Sequence, residues 1–112
     1  MATIKSYTNL QQSKKLAEIL PLESADMSWV SNGLGKPFAR TIPIKGDPEE
    51  LYACWSFTAL LNALPNGIVM NKDSQNGRYH FSSKYIGTYV TADNPVDACY
   101  KLILKLNELN LL

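Results

Sequence analysis

The sequence predicts an α+β fold in which three helices pack mainly on one face of an antiparallel sheet of three to five strands. Three observations lead there. Two apolar stretches, residues 47–67 and 94–109, open on helix-capping signals and carry apolar residues at helical spacing. Between them, residues 67–91 alternate short β-favouring runs with polar turn segments. Near the start of the chain, a capped segment has one apolar and one polar side.

The first element is a helix expected from about Asn9 to Leu20. Thr8-Asn9-Leu10-Gln11 has the T-x-x-Q form of a capping box, in which two side chains satisfy free amides of the first turn. Leu10, Leu16, Ala17 and Leu20 share one side, Lys14, Lys15 and Glu18 the other, and Pro21 ends the run. Residues 27–30 and 38–45 then read as short strands joined by the turn-rich SNGLGKP. Pro43 cannot donate to a ladder, so the second of these belongs at a sheet edge.

Residues 47–67, DPEELYACWSFTALLNALPNG, read as one central helix. Asp47 suits the N-cap, Pro48 the first turn and Asn66-Gly67 the end, while no charge follows Glu50. Apolar residues then fall on every side, so the segment must be enclosed by the fold or by a partner. A meander follows, with strands expected at 67–71, 78–82 and 85–91. The last helix opens on Asn94-Pro95-Val96-Asp97 and runs to about Leu109. Its polar strip holds only Asp97, Lys101, Lys105 and Glu108, so its apolar arc is wider than one sheet face covers.

The chain of 112 residues is expected to form a single domain, 1–112. A net charge of +1 gives no general attraction to polyanions, and neither half is polarised: residues 1–47 hold six Lys/Arg and four Asp/Glu, residues 48–112 five and six. The N-terminus lacks an apolar h-region, so a cytoplasmic location is expected, and no membrane partner. Cys54 and Cys99 fall inside apolar patterns and read as buried free thiols. One histidine and no metal-ligand spacing imply no metal site and no cofactor.

Several motifs invite chemistry. Cys54 with His80 suggests a nucleophile and base, but Cys54 lies between apolar residues with no Gly-rich elbow, so an enzyme is the least favoured outcome. SNGLGK has a G-x-G-K, yet Pro37 and Phe38 follow where a phosphate loop needs Ser or Thr and a helix. Alternation places Tyr79, Phe81, Ile86 and Val90 toward the helices and Arg78, His80, Tyr85 and Tyr89 on an open sheet face, with Lys84 nearby. Aromatic and basic groups so placed can stack bases and meet phosphates, which makes nucleic-acid binding the alternative function. The order helix, three strands, helix also matches double-stranded RNA-binding domains. The last helix, however, opens on Asp93, Asn94, Pro95 and Asp97, acids that would repel a phosphate backbone.

KSYTNLQQSKKLAEILPLESADM, CWSFTALLNALP and TADNPVDACYKLILKLNEL together resemble a family of short uncharacterised proteins encoded by phages and mobile elements of gut bacteria. ALLNALP, the tyrosine-rich meander and the D-x-P-x-D-A helix start carry the resemblance. It implies an accessory protein of such an element and brings no functional residue with it. The sequence thus leads to a non-catalytic cytoplasmic interaction or accessory protein. It is expected to form a homo-oligomer through an apolar helix face or a sheet edge.

Overall fold

The structure, a computed structural model, describes residues 5–31, 37–40 and 50–112. The helices are α1 (Leu10–Ala17), α2 (Phe57–Ala63) and α3 (Pro95–Glu108). The strands are β1 (Met27–Ser31), β2 (Pro37–Arg40), β3 (Glu50–Cys54), β4 (Ile68–Lys72), β5 (Tyr79–Ser83) and β6 (Tyr89–Ala92). The class is α+β, as expected, and all named pairings are antiparallel. The strands divide between two three-stranded sheets, ordered β2-β1-β3 and β4-β5-β6.

The helix expected over 47–67 is corrected. Its proposed cap at Asp47 and Pro48 lies outside the described residues, and Glu50–Cys54 is a strand paired to β1. The helix begins only at Phe57, capped by Ser56, whose hydroxyl accepts the Ala59 amide at 3.2 Å. A stretch apolar on every side carries no period, so local spacing cannot separate strand from helix, and the partner strand decides. Asp26 fixes the switch by accepting the Ser56 amide at 2.9 Å.

Beyond β3 the N-terminal segment continues the pairing, with the Thr8 amide donating to the Trp55 carbonyl at 2.9 Å and the Phe57 amide to that of Ser6 at 3.1 Å. The capping box of α1 sits one residue later than expected. Asn9 accepts the Gln12 amide at 2.7 Å, and the Asn9 amide donates to the Gln12 side chain at 3.1 Å. Thr8 is fully buried instead. Its hydroxyl accepts the Trp55 amide at 3.2 Å and shares a hydrogen bond with the Ser13 hydroxyl at 2.8 Å. The strand expected over 38–45 is described only to Arg40, and Pro43 lies outside the described residues.

The start of α3 forms as read. Asn94 accepts the Asp97 amide at 2.8 Å, with Pro95 in the first turn. Asp97 also joins three parts of the chain, accepting from Lys5 at 2.6 Å and from the Gln12 side chain at 2.8 Å. Burial alone would raise its carboxyl, but the bonds from Lys5, Gln12 and Asn94 outweigh that and hold it below the usual range. A carboxyl lowered on folding stabilises above its unfolded pKa and loses that contribution as pH falls through the folded value. Urea midpoints are therefore expected to fall below about pH 4, and Asp97→Asn to flatten that limb relative to the native chain. Asp73 contributes to the same window, since the Gln75 amide foremost lowers its carboxyl, so some slope remains in the variant. An unchanged slope in Asp97→Asn would show that folding does not favour the ionised Asp97 carboxyl.

The core gathers Leu16, Trp55, Leu60, Phe81, Val96, Cys99, Leu102, Ile103 and Leu106, each 0–1% exposed. It settles where the wide apolar arc of α3 goes. The arc meets α2, β5 and β6, and Leu16 of α1 belongs to the same cluster, with Leu111 packed against it. Among the described residues Val96, Cys99, Leu102, Ile103 and Leu106 of the arc are covered from within the chain, while Leu109 at its end is 45% exposed. No helix among the described residues is long and apolar enough to cross a membrane.

Candidate interaction site

The second sheet has one face on α3 and one face open. Phe81, Val90 and Ala92 point to the core, as alternation requires, and the neighbouring positions His80, Tyr89 and Thr91 lie on the open side. The His80 and Tyr89 rings meet edge to face with centroids 5.0 Å apart. Beside them the His80 imidazole Nε2 lies 3.5 Å from an Asp73 carboxylate oxygen. Asn71, Lys72, Asp73, His80, Ser82 and Tyr89 line an open depression here.

The five residues expected on this face are thus only partly brought together. His80 and Tyr89 are adjacent. Arg78 precedes β5 and is spent on intramolecular bonds, at 3.0 Å to the Asp93 carboxylate and 3.0 Å to the Thr91 hydroxyl. Tyr85 was expected inside a strand over 85–91, but the strand starts at Tyr89, and Lys84 and Tyr85 lie in the preceding turn. Lys84 folds over the Tyr85 ring at 5.1 Å, and its stem packs on Gly67, where φ is +90° and a Cβ would stand 2.9 Å from it. Gly87 within the turn spaces Tyr85 from the strand, a composition cue the alternation pattern overlooks.

Cys54 and His80 lie in different sheets. The Cys54 thiol is buried against Thr8, donating to its carbonyl at 3.5 Å, and burial pushes its pKa up. Cys99 is likewise buried in α3, where burial pushes its thiol up to about 12. Among the described residues no group of three or more His, Cys, Asp or Glu is placed to hold a metal ion.

The edge of this sheet is the feature that sequence reading touched only in general terms. Asp73 donates its amide to the Arg78 carbonyl at 2.8 Å and Lys84 donates to the Gly67 carbonyl at 3.3 Å. In the same register Val69 faces Ser82 and Asn71 faces His80. Antiparallel hydrogen bonds occur at every second pair. Gly67, Val69, Asn71 and Asp73 therefore spend their backbone groups on β5, and the amides and carbonyls of Ile68, Met70 and Lys72 point away from it. Among the described residues no strand pairs with that outer side.

The side chains there are exposed as well: Val69 by 61% and Met70 by 51%. The opposite edge differs. By the same alternation Thr91 points its carbonyl outward from β6, and Lys101 of α3 donates to it at 2.8 Å. A lysine over a short edge strand is a usual way to blunt it. On β4 a charge arrives only at the last residue, Lys72, whose ammonium lies over the Tyr79 ring at 5.4 Å.

No protein-family model matches the chain, and comparison with curated proteins and with solved structures finds no match.

Proposed function

We propose that this chain is a non-catalytic interaction protein that associates with a second copy of itself through the edge of β4. The observation that carries this is the coincidence on one strand, β4, of the exposed apolar side chains of Val69 and Met70 with the outward backbone groups of Ile68 and Met70. Unpaired strand edges recruit other strands because each new pair satisfies donors and acceptors on both sides. Most of the apolar arc of α3 is buried in the core, which supports the sheet edge over a helix face. The resemblance to proteins of phages and mobile elements supports a cytoplasmic accessory role.

Nucleic-acid binding through Arg78, His80, Lys84, Tyr85 and Tyr89 has weaker support. The His80 and Tyr89 rings offer a stacking surface, but Arg78 is bonded to Asp93 and Thr91, Lys84 lies over Tyr85, and Asp73 stands beside His80. Cations already engaged and an acid in the site are poor features for binding phosphates.

Sedimentation velocity tests the reading. The interface is one strand wide, so assembly is expected to rise across about 10 μM to about 1 mM rather than be complete at the low end. A monomer throughout that range would end it.

A further inference from the structure

Resting on that reading, we infer that two copies pair their β4 strands antiparallel about a two-fold axis at Val69, making one six-stranded sheet, β6-β5-β4-β4-β5-β6. The partner is a second copy because the apolar triplet Ile68-Val69-Met70 matches its own reverse. With the axis at Val69, each Val69 stands opposite the other on the open face. Each Met70 then stands opposite an Ile68 of the other copy on the helix side, and apolar meets apolar at all three pairs.

The backbone agrees with this register. Ile68 and Met70 are the residues whose amides and carbonyls point outward, so they form the hydrogen-bonded pairs, and Val69 falls at the non-bonded pair between them. Moving the axis to Met70 also satisfies the backbone, but it sets Ile68 against Lys72 and Val69 against Asn71. That arrangement buries an ammonium stem on Ile68 and covers Val69 with an amide, so the Val69 axis is preferred.

The assembly closes at two. An axis normal to the sheet makes the interface self-complementary and uses both β4 edges. The outer edges of the joined sheet are then the two β6 strands, each with Thr91 held by Lys101. The α3 layers of both copies fall on the same side, and the two open faces, each with its His80 and Tyr89 pair, become one continuous surface.

Cysteine cross-linking reads the register. At a non-bonded antiparallel pair the Cα atoms are about 4.5 Å apart, within the roughly 4.4–6.8 Å that a disulfide spans. Val69→Cys is therefore expected to form an intermolecular disulfide under mild oxidation at least about tenfold faster than Met70→Cys, whose own copy is not opposite it in this register. The substitution replaces an exposed side chain, and Cys54 and Cys99 are buried, so neither folding nor the native thiols interfere. Faster cross-linking of Met70→Cys would overturn the Val69 axis while leaving self-association standing. A native chain that sediments as a dimer while neither variant cross-links would overturn the β4 interface. A native monomer with neither variant cross-linked would remove the proposed function itself.

Discussion

Trp55→Ala is expected to cost about 3–5 kcal/mol of folding stability, the range for truncating a large aromatic in a closed core. Trp55 is wholly buried where β3 gives way to α2, packed in the cluster that holds Leu16, Leu60 and Leu102. Its indole nitrogen donates to the Ser24 hydroxyl at 3.0 Å in the one-turn 3-10 helix Leu22–Ser24. Its backbone exchanges hydrogen bonds with Thr8, the carbonyl accepting at 2.9 Å and the amide donating to the hydroxyl at 3.2 Å. Truncation keeps the backbone bonds, removes the indole's apolar area and leaves a cavity between both sheets' supporting elements. A domain of this size holds about 5–15 kcal/mol in all, so the variant should unfold at a much lower urea concentration. A loss below about 1 kcal/mol would show that Trp55 does not join the halves of the core.

The sequence made the second half of the fold readable. Capping at Asn94 and Asp97, the three-strand meander, the burial of Phe81 and the packing of Val90 against the core all follow from local signals, and each is present. The first half was harder for a physical reason. Residues 51–64 are uncharged and largely apolar without a period, so helix and strand cost nearly the same locally, and pairing of Tyr52 with Trp29 and of Cys54 with Met27 decides for strand up to Cys54. Ser56 was the available cue, since a serine three residues before a small helix former is a good N-cap, but Asp47 and Pro48 offered a stronger-looking one. Thr8 shows the same competition. Its hydroxyl fits a capping box as well as Asn9 does, and the buried Trp55 amide claims it.

Within the candidate site, alternation correctly set His80 and Tyr89 on the open face. It carried Tyr85 too far because Gly87 ends the alternation before the strand begins. The β4 edge could not be located from sequence. Strand order depends on which neighbours are absent, and no local pattern in Ile68-Val69-Met70 distinguishes a central strand from an exposed edge.

The largest effect on assembly is expected from Met70→Pro. Proline has no amide hydrogen, so it deletes a donor that β4 directs outward, and it removes the Met70 side chain from the seam. Edge strands accept proline where the amide faces solvent, and the residue before it is pushed toward the extended conformation that Val69 already holds. The monomer should therefore keep its circular dichroism spectrum and lose about 1 kcal/mol at most. Val69→Pro is the contrasting case, because that amide is spent on β5 and its loss should damage the fold.

Sedimentation velocity of the native chain beside Met70→Pro, over about 10 μM to about 1 mM, tests the open β4 edge most directly. The native chain should gain mass with concentration toward a dimer while the folded variant remains a monomer. A native chain that stays monomeric, or a folded variant that assembles as the native chain does, would contradict the assignment of β4 as the interface.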